Sequence, residues 1–301
     1  MTVLRLWWFA NRRLVLVAAI VAAAAGVVGV VGAWSMTCAP NLTTSVCLHV
    51  LNTDARSTLT TAILATLPVL LGLTFGAEAV GGELGAGTAG FAWSVAPDRR
   101  RWLAEHIVPG LLATAAFGLA CGALNAVIVA KINPGQNLVA SFAGYGLWGP
   151  LLVVRALCGY AIGLGLGTWL GRVVTSLTLG LLLLAVILPL ALVAGRSFEP
   201  ANMLVPGDES HPEAIGVGSS TRLPDGTLGT LEDCVRAGPS FSDDPEFKKE
   251  NAWMLANCPP VSRFIAGPQM PWTALRESVV LGALALAAGA LAFRRVRNRR
   301  P

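Results

Sequence analysis

Charge is scarce in this chain. Asp, Glu, Lys and Arg make up 13% of its 301 residues, against about 25% in soluble domains. That deficit excludes an ordinary water-soluble globule. Lysine is scarcer still: Lys131, Lys248 and Lys249 are three of 22 basic residues, and none follows a glycine. A Walker phosphate loop needs G-x-x-x-x-G-K-[ST], so the chain carries no P-loop and is not expected to be an ATPase itself. Histidine occurs only at His49, His106 and His211, far apart, and H-E-x-x-H, C-x-x-C and G-x-S-x-G are all absent. No catalytic residue and no metal site is therefore assigned. His211 lies near Asp208, Glu209 and Glu213 and could bind a metal weakly, but a solvated acidic loop is the plainer reading.

Apolar residues are abundant instead, at 54% of the chain, with a mean hydropathy of +0.63. A membrane helix needs about 20 mostly apolar residues. Six segments qualify: Leu14–Trp34, Leu59–Val80, Ile107–Val129, Leu147–Leu170, Val173–Ala194 and Thr273–Phe293. The fourth and fifth are separated only by Gly171 and Arg172, so five spans with a re-entrant piece is the rival count. The first apolar run is longer than a usual signal core, and "WSMTC" lacks the small residue of a lipoprotein site, so an uncleaved span is expected.

The positive residues give the orientation. Arg5, Arg12 and Arg13 precede the first span, Arg99–Arg101 separate the second from the third, Arg172 the fourth from the fifth, and five arginines follow the sixth. Six spans put all of these on one side, which the positive-inside rule makes cytoplasmic, with both termini. Eleven of the 17 acidic residues fall between Glu199 and Glu250, on the opposite side. The net charge of +5 is thus explained by topology, and no nucleic-acid partner is expected. The domain plan is a cytoplasmic or interfacial N-terminus (1–13), spans one to five (14–194) with a cytoplasmic loop (81–106), an external segment (195–272), span six (273–293) and a basic cytoplasmic tail (294–301). In the N-terminal stretch Leu4, Trp7, Trp8 and Phe9 lie beside Arg5, Arg12 and Arg13, which fits an interfacial helix or an aromatic belt anchor.

The cysteines are distributed accordingly. Cys38 and Cys47 fall in the first external loop, Cys234 and Cys258 in the large external segment, and Cys121 and Cys158 inside spans. Disulfides persist in oxidising compartments, and proximity in sequence alone pairs Cys38 with Cys47 and Cys234 with Cys258. In the external segment "TLEDCVRAG" and "DPEFKKENAWMLANC" read as short helices that a disulfide would staple; Asn202–Gly229 reads as irregular loop.

Two features stand out within the spans. Arg155 lies about two turns inside the outer end of span four, where an ionisable group marks a pathway or interhelical contact, or snorkels to the interface. Glu277 and Arg276 lie closer to the outer surface. Gly159, Gly163, Gly167 and Gly171 recur every fourth residue along one face of span four, a pattern that lets another helix approach closely.

The loop between spans two and three, "ELGAGTAGFAWSVAPDRRRWLAEH", adds an ordered pattern: acidic, G-T, apolar, W-S, basic, R-W-L. Its residues Glu83, Gly87, Thr88, Trp93, Ser94, Arg99, Arg101, Trp102 and Leu103 resemble the membrane subunits of actinobacterial type-2 ABC exporters. Cys234, the stretch "PPVSRF" and Glu277 extend the resemblance along most of the chain. Gly82, Gly85, Glu105 and His106 depart from it, so docking contacts differ in detail. The resemblance implies an all-α integral membrane protein of the bacterial plasma membrane, a homodimeric permease that exports an amphipathic, lipid-like or drug-like substrate. It implies two copies of a separate cytoplasmic ATPase that bind ATP and Mg, with Glu83, Gly87, Thr88, Trp93, Arg99, Arg101 and Trp102 in the coupling loop. The rival readings are an ATPase-independent transporter and a membrane sensor or scaffold whose external segment binds a partner.

Overall fold

The computed structural model describes residues 3–35, 55–88, 99–132, 137–142, 144–147, 149–197, 202–204, 214–238 and 248–298. Five long helices, α1 (Val3–Ser35), α2 (Ala55–Gly85), α3 (Arg99–Ile132), α4 (Gly149–Leu170) and α5 (Val173–Ser197), precede a segment that contains the strands. The sixth long helix, Met270–Asn298, follows it. All six are long and apolar enough to cross a bilayer. Helices are the economical solution there, because lipid offers no hydrogen bonds to an unsatisfied backbone. Gly171 (φ +63°) turns the chain between α4 and α5, giving two helices and therefore six spans. The helix α1 begins at Val3 and continues without a break through the first span.

Within the helical unit, α4 is the central element: 67% of its apolar stretch is buried, against 17% for α5 and 17% for the last helix. Its neighbour α2 meets it glycine to glycine. A Cβ added at Gly159 would lie 2.7 Å from the Val69 carbonyl oxygen, and one at Gly167 would lie 2.6 Å from that of Ala77. At Gly163 it would strike the Leu73 carbonyl. From the other side, Gly72 and Gly76 of α2 press on the carbonyls of Ala156 and Tyr160. The two backbones are therefore in direct contact. Lipid supplies no hydrophobic drive between helices, so close van der Waals packing of this kind holds them. Around this seam, Leu71, Phe75, Val80, Trp102, Tyr160 and Leu164 form one buried cluster. Trp7 of α1 packs edge-on against Phe75, with ring centroids 5.4 Å apart.

The second unit comprises Asn137–Ala143 and Arg196–Thr273. It contains a four-stranded antiparallel sheet in the order β1-β4-β2-β3, with β1 Asn202–Leu204, β2 Ile215–Arg222, β3 Leu228–Gly229 and β4 Pro260–Ile265. Asn202–Gly229 is thus not simply the irregular loop expected from its composition. The reason is that β2, "IGVGSSTR", has little alternation of its own and becomes a strand by pairing Ile215 to Thr221 with Ile265 to Pro260 of β4. The short helices α6 (Leu231–Ala237) and α7 (Lys248–Asn257) are present, and Cys234 is bonded to Cys258 with Cα atoms 6.3 Å apart. A capping box starts α6: Thr230 Oγ1 accepts from the Asp233 amide at 3.2 Å, while Asp233 Oδ2 accepts from the Thr230 amide at 2.8 Å. Donation to Oδ2 from the Thr230 amide and hydroxyl holds the Asp233 carboxyl below the ordinary value of 3.8. Cys38 and Cys47 lie outside the described residues. The last long helix is numbered α8 below.

Candidate functional site

Two polar constellations interrupt the apolar helical unit. The first lies where α2 ends and α3 begins, at the base of the arginine-rich loop. Gly87 (φ +71°) stops α2. Its amide donates to Leu84 O at 3.3 Å, and the Thr88 amide donates to Glu83 O at 3.1 Å. That pair of bonds is a Schellman stop, which satisfies orphan carbonyls and favours a residue without a Cβ at the left-handed position. The "GT" of the loop is thus a helix terminator with a structural cause. The Thr88 hydroxyl also donates to Glu83 O, at 3.3 Å.

One turn back, Glu83 reaches across to α3. Its Oε1 lies 3.0 Å from His106 Nε2, with both side chains about one third exposed (34% and 31%). The other ring nitrogen, His106 Nδ1, lies 2.8 Å from the Trp102 carbonyl oxygen. Both imidazole nitrogens thus face oxygen acceptors, a setting that a doubly protonated ring satisfies completely. The indole of Trp102 stacks on the imidazole with centroids 4.3 Å apart and is itself buried in the core cluster. Trp102 therefore anchors the start of α3. Among the described residues Glu83 Oε2 has no hydrogen-bond partner. Arg99 and Arg101 belong to the first turn of α3, and Trp93 lies outside the described residues.

The second constellation joins α4 and α8. Glu277 is fully buried. Its Oε1 accepts from Arg155 Nε at 2.8 Å and lies 2.7 Å from Arg155 Nη2; its Oε2 accepts from the Tyr145 hydroxyl at 2.9 Å. Arg155 Nη1 also donates to Gly146 O at 3.1 Å. Gly146 permits this approach, because a Cβ there would collide with the guanidinium. Every oxygen of the buried carboxylate is matched, which is what a buried ion pair requires. Arg155 thus makes an interhelical contact. From the sequence Glu277 belongs near the outer surface, because it lies early in the span; its burial depends on which face of α8 turns inward. Nearby, Asn125 of α3 is buried and donates to Leu147 O at 2.8 Å, tying α3 to the turn before α4.

The glycine face of α4 is brought together as a packing seam, and its partner is α2 of the same chain. The complementary Gly72 and Gly76, four residues apart, carry the small-xxx-small signal on α2. Gly171 sits at the turn, where an added Cβ would lie 3.5 Å from Leu84 Cβ. Among the described residues no group of three His, Cys, Asp or Glu side chains could hold a metal ion. His211 and its acidic neighbours lie outside those residues.

A family model described as "ABC-2 membrane transporter related" matches residues 35–194, just over half of the chain. The chain belongs to this family. The match runs through α2, the loop after it, α3, α4 and most of α5, and it stops before the sheet unit and α8. This is a multi-pass membrane protein of the type-2 ABC permease kind. No curated protein and no solved structure matches it.

Proposed function

We propose that the chain is the permease subunit of an ATP-driven exporter. It works as a homodimer with two copies of a separate cytoplasmic ATPase, which supply the ATP and Mg sites, in keeping with the lack of a Walker motif in this sequence. Both termini and the loop after α2 are cytoplasmic, by the distribution of arginine. The cargo is amphipathic or lipid-like, in keeping with apolar spans in which the buried Arg155–Glu277 pair neutralises itself. The observation that carries the reading is the base of the loop in a member of this family. The Schellman stop and the Glu83–His106 bridge fix both ends of the segment from Gly87 to Arg99, so a push on the loop is delivered to α2 and α3 together.

The experiment is copurification of the ATPase, with stimulated ATP hydrolysis and transport, for Glu83→Ala, Thr88→Ala and His106→Ala. Thr88→Ala keeps the backbone bonds of the helix stop, and His106→Ala removes the donor of the bridge while leaving Glu83 in place. Coupling predicts a fall in stimulated hydrolysis and transport with normal membrane insertion. Unchanged binding and transport in all three would return the arginines to simple topology signals.

A further inference from the structure

A cavity of about 460 Å³ opens between α4, α5 and α8. That is within the range of small-molecule sites, about 300–1,000 Å³. Its shape follows from the helices. At the deep end α4 and α8 touch, Gly165 lying so that an added Cβ would be 3.6 Å from the Ala288 carbonyl oxygen. From Ala288 to Asn298 is ten residues of helix, or roughly 15 Å, about half the thickness of a hydrocarbon core. The wedge therefore spans one leaflet.

Its walls and its mouth differ in chemistry. Ile162, Leu166, Leu183 and Leu291 line its walls. Arg294, Arg295 and Asn298 line the end where α8 leaves the membrane, beside Trp169 at the end of α4. Among the described residues no acidic side chain lines the cavity. Among the described residues neither Arg294 nor Arg295 makes an ion pair. Trp169 is 66% exposed and Leu291 is also 66% exposed, so the opening faces the space that lipid fills. An apolar slot one leaflet deep, closed at the bilayer centre and ringed by two guanidiniums and an indole at headgroup level, is complementary to one class of molecule.

We propose that this wedge binds an anionic membrane lipid. An acyl chain lies along Ile162, Leu166, Leu183 and Leu291, and the phosphate sits between Arg294 and Arg295, with the Asn298 amide as a further donor. Guanidinium groups suit this role because their planar donors match phosphate oxygens in pairs. Binding here is independent of the ATPase partnership and is read without ATP, so it stands or falls separately from the export reading.

The test uses the delipidated full chain in detergent, titrated with phosphatidylglycerol or phosphatidylcholine of the same acyl composition and read by native mass spectrometry. Phosphatidylglycerol binds more tightly, and Arg294→Gln with Arg295→Gln weakens it on the order of 30-fold, from about fivefold for each arginine at a membrane surface. Arg172→Gln with Arg297→Gln removes the same charge from exposed positions outside the wedge and leaves the affinity within about twofold. In vesicles, brominated phosphatidylglycerol quenches a component of tryptophan emission that disappears in Trp169→Phe. Equal affinity for the two lipids overturns the site. So does an equal loss in the two double variants, which would show unspecific attraction to a basic face. Disulfide formation between copies carrying Leu291→Cys in phosphatidylglycerol bilayers would show that a second chain covers the wedge, and would also overturn it.

Discussion

The guanidinium of Arg155 and the fully buried carboxylate of Glu277 meet at 2.7 Å, 122 residues apart in the chain. Removing one partner strands the other charge in an apolar setting, at a cost of about 3–5 kcal/mol. Glu277→Ala and Arg155→Ala should each lower thermal stability in detergent by that amount. Arg155→Met with Glu277→Leu should recover most of it, short of about 1 kcal/mol for the Tyr145 hydroxyl left without its acceptor. The double variant also separates two roles: a structural clasp leaves transport intact when stability returns, whereas a pathway residue leaves it abolished.

The seam between α2 and α4 is predicted to tolerate no side chain. At Gly163 a Cβ would strike the backbone carbonyl of Leu73, which cannot swing away. Overpacking costs typically 1–3 kcal/mol, and Gly163→Leu and Gly167→Leu should fall at or above the top of that range. Gly282→Ala and Gly289→Ala add a Cβ where nothing lies within 4 Å and should be nearly neutral. Thermal unfolding of the purified variants, with monodispersity as the folding check, decides this. A stable Gly163→Leu protein would mean that the two backbones are not in contact.

Gly87→Ala forces a Cβ into the left-handed region at the end of α2, at about 1–2 kcal/mol. The loss should be local. Amide exchange at Gly87 and Thr88 should quicken severalfold, while the amides of α4 keep their protection. Unchanged exchange at those two amides would show that the helix stop does not depend on the glycine.

The sheet unit should depend on its disulfide. Cys234 and Cys258 are 24 residues apart, and closing a loop of that length stabilises by roughly 3 kcal/mol. Peptide mapping without reductant should recover the linked pair. Reduction should open the unit to protease at α6 and α7 before the long helices are touched. Equal resistance with and without reductant would remove the bond's stabilising role.

The capping box supplies a pH dependence. The Asp233 carboxyl titrates below its ordinary value because the Thr230 amide and hydroxyl donate to its charged form, with Arg236 adding to the effect. A depressed folded-state value stabilises above the unfolded value and loses that contribution as pH falls through the folded one. Carboxyl NMR of Asp233 should give a midpoint below 3.8 that moves upward in Thr230→Ala. A midpoint unmoved by that substitution would exclude the box as the cause.

The sequence by itself determined the membrane helices, because about 20 apolar residues leave a backbone no alternative to internal hydrogen bonding. It also determined the pairing of Cys234 with Cys258, two neighbours in the segment between the fifth and sixth long helices. The tertiary structure alone decided what the polar residues meet. Glu277 lies near a span end and looks like a surface residue until α8 turns it inward against Arg155, and nothing local in either helix encodes that rotation. His106 stood out only as a departure from the family pattern, and became half of a bridge once α2 and α3 were brought side by side. The strand at Ile215–Arg222 has no strong pattern of its own, because its register is supplied by Pro260–Ile265 some 40 residues later. Periodicity and composition act through the local solvent and are legible along the chain. Pairing between distant polar groups depends on helix rotation and register, which only the packed glycine seam and the paired strands set.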